Sequence, residues 1–218
     1  MRHFFEPGSG MDAPTLVLFH GTGGTERDLI PLAKRIDPDA SLLGLRGNVL
    51  EGEMSRFFRR LAEGVFDEED LLVRTGEVKE YLDKAAQDYG RNRANMVAVG
   101  YSNGANMAAS LLFHYGHALR GALLFHPMVP RRGIDLPDLK GVPVFIAAGI
   151  RDPICPPEET AELEQLLQGA GASVTTYWGE GGHRLTAAEA DQAAAWYRQT
   201  FCPGGTPCHT DAENSPQK

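Results

Sequence analysis

The sequence predicts an α/β protein with a mostly parallel central sheet and helices on both faces. Three observations carry that expectation. Short apolar runs alternate regularly with segments of helical periodicity, the pattern of βαβ units. Residues 97–112, VAVGYSNGANMAASLL, form an apolar run that stops at Gly-Tyr-Ser-Asn-Gly and restarts as small and apolar residues at helical spacing, as a strand reversing sharply into a helix would. Finally, 218 residues suffice for one well-filled α/β domain, and no shift in composition marks a second.

Taken in order, residues 2–5 can add an edge strand, followed by apolar strands at 15–19 (TLVLF) and 41–45 (SLLGL). Further strands are expected at 95–100, 121–125, 142–149 and 173–178. Helices are expected between them at 26–36, at 67–89 with acidic residues in its first turn, and at 103–115. Two more follow, one at 157–169 opened by a proline pair and one at 186–200 with Thr186 as N-cap. The final stretch, PGGTPCHTDAENSPQK, has no apolar face, so the fold is assigned to residues 1–201 and a flexible tail to 202–218.

Composition excludes several functions. Hydrophobic residues make up 42% and charged residues 23%, and no apolar run approaches the ~20 residues that span a bilayer. The N-terminus lacks the apolar core of a signal peptide, so a cytoplasmic protein is expected. A formal charge of −8 disfavours nucleic acid, and the pairs Arg59-Arg60 and Arg131-Arg132 read as solvated edges. Three cysteines, Cys155, Cys202 and Cys208, make no disulfide framework; Cys155 reads as a small buried apolar residue. Cys202 and Cys208 bracket PGGTP and could close a small loop.

In an open parallel sheet, ligands bind beyond the carboxyl ends of the strands. Four chemically interesting positions fall there: the loop His20-Gly21-Thr22-Gly23-Gly24, Ser102, Asp152 and His183. Gly100 and Gly104 flank Ser102 in G-x-S-x-G, where a Cβ would collide and the serine is forced outward as a nucleophile elbow. A serine hydroxyl needs a base, and the base needs an orienting group. His183, on the glycine-rich loop GEGGHRLT, can supply the first, and Asp152 in RDPICPP the second. His126, after the fourth strand, is the one rival base, whereas His3 and His209 are terminal. His114 and His117 end the elbow helix and lack a third metal ligand. Neither metal nor cofactor is expected. The oxyanion donors are assigned to the backbone N–H groups of Asn103, after the nucleophile, and of Thr22 in the glycine-rich loop, which matches no phosphate-binding motif.

LFHGTGGTE, GYSNGA, DPICPP and GGH, in this order and spacing, resemble the phospholipase/carboxylesterase branch of the α/β-hydrolase family. LRGNVLEGEMSRFFRRLAEGVFDEEDL and LLFHPMVPRR are similar to the small bacterial carboxylesterases associated with methylhydroquinone and quinone resistance. The resemblance covers residues 2–201 and implies a Ser102, Asp152, His183 triad with Thr22 and Asn103 at the oxyanion hole. It also implies a homodimer as a possible assembly. Thioesterases of the branch carry leucine and glutamine where this chain has Thr22 and Asn103, which points away from long acyl chains.

The expected activity is therefore hydrolysis of a small-molecule, short-chain carboxylic ester through an acyl-enzyme. Alternatives are a thioesterase or lysophospholipase, a dienelactone-type ring-opening hydrolase with the same triad, or a non-catalytic binding protein on this scaffold. Only residues 126–141 join the fourth strand to the fifth, too few for a lid domain. The pocket wall is instead expected from Phe57, Phe58, Met128, Val129 and Trp178.

Overall fold

Successive residues along a strand point to opposite faces, and in this protein both faces of the central strands are buried. The computed structural model describes residues 1–202; the expected tail beyond Cys202, Cys208 included, lies outside them. Among the described residues one sheet has seven strands. They are β1 (His3–Glu6), β2 (Thr15–Phe19), β3 (Ser41–Leu45), then, after two hairpins, β8 (Met96–Tyr101), β9 (Gly121–Phe125), β10 (Pro143–Gly149) and β11 (Ser173–Gly179). Their order is β1-β3-β2-β8-β9-β10-β11, with β1 antiparallel to β3 and every other pairing parallel.

The helices are α1 (Ile30–Ile36), α2 (Glu68–Asp88), α3 (Asn103–Tyr115), α4 (Pro157–Gly169) and α5 (Ala187–Phe201). Alternation divides the core between them. Val17, Phe19, Ala98, Leu124, Val144 and Ile146 face α2, α3 and α4, where Leu82, Met107, Leu111 and Leu163 complete one cluster. Their neighbours Leu16, Leu18, Val97, Val99, Leu123, Phe145 and Ala147 face α1 and α5, against Ala33, Ile36, Ala193 and Tyr197. On that second face the Tyr197 hydroxyl donates to Asp37 Oδ2 at 3.1 Å, joining α5 to the end of α1. None of the helices among the described residues is long and apolar enough to cross a membrane.

The expected elements are present within a few residues of their predicted ends. The clearest difference is α1, which begins at Ile30 rather than 26, because Pro31 sits in its first turn and residues 26–29 form turns ahead of it. Residues 46–66, expected only as a long connection, hold two small hairpins: β4 (Val49–Glu51) with β5 (Met54–Arg56), and β6 (Arg60–Ala62) with β7 (Val65–Phe66). Their turns are marked by Gly52 and Gly64, both at positive φ. Neither hairpin joins the central sheet. Residues 126–142 carry neither helix nor strand, in agreement with the absence of a lid domain.

Candidate active site

β8 runs out at Tyr101 and α3 begins at Asn103, so Ser102 alone makes the turn, with φ 51° and ψ −116°. A non-glycine residue at positive φ is held there by its surroundings. The Ser102 N–H donates to Phe125 O at 2.9 Å, and Ser102 O accepts from Asn106 N–H at 3.0 Å. The glycines explain how the chain fits. A Cβ on Gly100 would lie 2.7 Å from Ala105 Cα and from Gly104 O, and one on Gly104 only 2.1 Å from Phe19 O. Gly104→Ala is therefore expected to cost about 2–3 kcal/mol, the upper range for overpacking, because the obstacle is backbone of the neighbouring strand. Denaturant unfolding checks this; an unchanged midpoint would show that the elbow relaxes more freely than its packing implies.

Although Ser102 is the N-cap of α3, its side chain makes no capping bond. Its Oγ instead lies 2.8 Å from His183 Nε2. His183 Nδ1 lies 2.8 Å from Asp152 Oδ2, and since a carboxylate only accepts, Nδ1 carries the hydrogen and Nε2 is left to accept from the serine. His183 sits on the loop between β11 and α5, where Tyr101 holds its backbone by donating from the phenol to His183 O at 2.7 Å. The loop can approach because Gly149 has no side chain; a Cβ there would be 2.6 Å from Gly181 O and Gly182 O. Asp152 follows β10, and its Oδ1 accepts from the N–H groups of Ile154 at 2.9 Å and Cys155 at 3.0 Å. Burial alone would raise the pKa of Asp152, but the Cys155 amide, His183 and the Ile154 amide outweigh it and hold the carboxyl below its ordinary pKa.

The oxyanion candidates face the same cavity. Thr22 and Asn103 line it together with Ser102 and His183. Asn103 is the first residue of α3, so its N–H has no acceptor within the helix and lies at the positive end of the helix dipole. Its side chain is turned away, with Oδ1 accepting the Phe57 N–H at 2.8 Å. Thr22 Oγ1 accepts from Arg56 Nη1 at 2.8 Å, and the Gly23 N–H donates to Ser55 O at 2.8 Å. The glycine-rich loop is thus fastened to the first hairpin. His20, buried at its base, accepts the Gly47 N–H at Nε2, and burial lowers its pKa.

The cavity measures about 230 Å³, and its walls differ from those expected. Met128 lines it, as predicted, beside Arg56, Arg60, Glu63, Gly64, Phe66, Asn106, Ile154 and Cys155. Phe57 and Phe58 do not, because both are buried in the core, Phe57 against Phe19 with ring centroids 5.4 Å apart. Val129 is buried as well, and Trp178 stands partly exposed on the edge strand β11, away from the lining. Arg60, read as a solvated edge, instead lines the cavity in a bidentate pair with Glu51, while Arg59 stays outside on Asp67. Arg56 is buried and makes its own contact to Glu51 at 3.2 Å. A wider groove of about 630 Å³, lined by Leu29, Leu32 and Leu185, shares only Thr22 and Tyr101 with this cavity and does not contain the serine.

His126, the rival base, is fully buried at positive φ, with Nδ1 3.0 Å from Asp152 Oδ2 and Nε2 facing Glu189 Oε1 at 3.3 Å. The imidazole that meets Ser102 is His183. His126, Asp152 and His183 each offer an atom within 4.8 Å of the others, close enough to share a cation, but both Nδ1 atoms already face the carboxylate. Cys155 is buried and donates from Sγ to His126 O at 3.2 Å, and burial raises its thiol pKa far above the ordinary value.

The dienelactone hydrolase family matches residues 12–200. MhqD of Bacillus subtilis (strain 168) is 58% identical over 201 residues, covering 92% of this chain and all of that protein. A Bacillus cereus carboxylesterase of known structure is also 58% identical, with a TM-score of 0.91 over 92% of this chain and 95% of that one. YahD, solved with malic acid, is 29% identical with a TM-score of 0.87, covering 91% and 98% respectively.

Proposed function

The chain belongs to the dienelactone hydrolase family and is a carboxylesterase-like hydrolase, and from that premise we propose that it is a serine esterase acting on short-chain carboxylic esters through an acyl-enzyme. One observation carries the proposal: Ser102 Oγ, the His183 ring and Asp152 Oδ2 lie in a continuous line of 2.8 Å contacts at the wall of a cavity. Ser102 Oγ attacks the ester carbonyl carbon as His183 Nε2 takes its proton, and Asp152 stabilises the imidazolium that forms. The carbonyl oxygen becomes an oxyanion facing the N–H groups of Thr22 and Asn103. His183 then returns the proton to the departing alkoxide, leaving Ser102 acylated. Water repeats the sequence on the acyl-enzyme and releases the acid.

Cavity size supports the substrate length. A site of about 230 Å³ lies below the usual ligand range of ~300–1,000 Å³. It can cover two to four methylenes at ~0.8 kcal/mol each, after which further carbons remain in water and add nothing to transition-state binding. On p-nitrophenyl esters kcat/KM is expected to peak between acetate and butyrate and to fall by octanoate. A maximum at decanoate or beyond would favour a lysophospholipase or long-chain thioesterase instead. Reaction of Ser102 with a fluorophosphonate separates both from a non-catalytic binding protein.

A second reading has its own support. Arg56 and Arg60 reach the wall, and the structure of YahD was solved with malic acid, a small dicarboxylic acid. A small lactone or ester bearing a carboxylate would suit those guanidinium groups, with the same triad opening the ring. Faster turnover of carboxylated substrates than of neutral ones of equal size would select this reading.

A further inference from the structure

The ester-cleaving sequence uses one edge of Asp152 Oδ2 and leaves another buried imidazole unexplained. His126, Asp152 and Glu189 are 0%, 4% and 1% exposed. Asp152 Oδ2 is shared between two rings, His183 Nδ1 at 2.8 Å and His126 Nδ1 at 3.0 Å. On the far side of His126, Nε2 meets Glu189 Oε1 at 3.3 Å, an ion-pair separation rather than a hydrogen bond. Glu189 cannot easily turn aside, because its other oxygen caps α5, accepting from the Thr186 N–H at 2.7 Å and the Thr186 hydroxyl at 3.0 Å. The His126 backbone is equally constrained, with positive φ and its N–H donating to Ala147 O at 2.8 Å.

Two buried carboxylates facing the two nitrogens of one imidazole can both be satisfied only if that ring carries hydrogens on both. An isolated buried carboxylate is costly, and a buried imidazolium equally so, but each offsets the other here. We propose that His126 is a positioning residue: a buried imidazolium, clamped between Asp152 and Glu189, that fixes Asp152 from the side opposite His183 and divides the carboxylate's charge between two rings. The proposal deepens the esterase reading and rests on it.

Charge balance follows from the groups around the ring. From the loop after β10 comes Asp152, from α5 Glu189, from the loop before α5 His183, with its ring centroid 5.3 Å away, and from β8 the edge of Tyr101 at 5.9 Å. Cys155 Sγ donates to the His126 carbonyl at 3.2 Å. Burial by itself would lower the His126 pKa, but Glu189 and then Asp152 outweigh it and hold it above the ordinary imidazole value of ~6.5. Since the pKa is raised, the imidazolium outlasts that of an unperturbed imidazole and is lost as pH climbs through the raised value. A positive charge on the His126 ring, 5.3 Å from the His183 ring, opposes the formation of a second one there.

The test is the pH profile of kcat/KM for p-nitrophenyl acetate in wild type and in His126→Asn, chosen because asparagine tolerates positive φ and keeps an N–H donor. The acid limb is expected to move to higher pH, since the variant takes away a positive charge 5.3 Å from the base. The plateau should fall about tenfold as Asp152 loses its second support. A drop in activity or melting temperature with an unmoved acid limb would mean that His126 serves packing alone and would overturn the proposal. Nitrogen-15 NMR of the His126 ring in wild type decides the matter even if the variant fails to fold. At pH 8 both ring nitrogens should carry hydrogens, and a neutral tautomer would refute the proposal. Failure of the esterase reading would show separately, as wild type that turns over no ester, with the NMR result still standing for or against a charged His126.

Discussion

Replacing Ser102 by alanine is expected to lower kcat/KM on p-nitrophenyl acetate by about 10⁴- to 10⁶-fold and to abolish fluorophosphonate labelling. The change removes one oxygen whose partner is His183 and whose atom caps nothing in α3, so the fold should be unaffected and the melting temperature nearly unchanged. His183→Ala should be almost as severe. The double variant should be scarcely worse than either single one, because a nucleophile without its base and a base without its nucleophile are equally idle. Residual turnover within tenfold of wild type at Ser102→Ala would end the assignment. Losses that add would point to another base.

Asp152→Asn should cost about 10³- to 10⁴-fold in kcat, the scale expected when an imidazole is trapped in the wrong tautomer. Its Oδ1 holds the Ile154 and Cys155 amides, and asparagine's carbonyl can keep both. That choice turns the new NH2 group toward both Nδ1 atoms. His183 must then accept at Nδ1 and place its hydrogen on Nε2, against Ser102, where it can no longer take the serine proton. His126 loses an anion at the same time, so stability should fall by about 1–3 kcal/mol, as when a buried charge-assisted hydrogen bond is removed. Steady-state kinetics and denaturant unfolding on the same preparation check both parts. A kcat within tenfold of wild type would mean that Asp152 does not set the tautomer of His183.

What the chain reveals of this site depends on how locally each part is encoded. Ser102 is announced by Gly100 and Gly104, whose missing side chains correspond to real backbone contacts, and Asp152 and His183 by their places just after strand ends. These are rules of chain geometry, and they survive without knowledge of packing. The cavity wall does not follow such a rule. Arg56 faces the pocket and Phe57 the core, a difference of one residue in a hairpin whose strands have three residues each. A single step of register exchanges the two faces, and composition favoured the aromatic residue. The pairing of His126 with Glu189 is more remote still, since nothing in either segment announces the other. Both become visible only when the parallel sheet sets the end of β9 beside the start of α5.

The two hairpins at 49–66 shape what the cavity admits, yet they add no strand to the central sheet. If the triad acts as proposed, selectivity and bond-breaking are housed in separable modules, and the first is open to change by insertion, deletion or exchange without touching the second. Separation is incomplete at two tethers: the Arg56 guanidinium on Thr22 and the Phe57 amide on Asn103. On the proposed mechanism this roof can be redrawn for new substrates so long as those two attachments remain, because they fasten Thr22 and Asn103, the proposed oxyanion donors, from above.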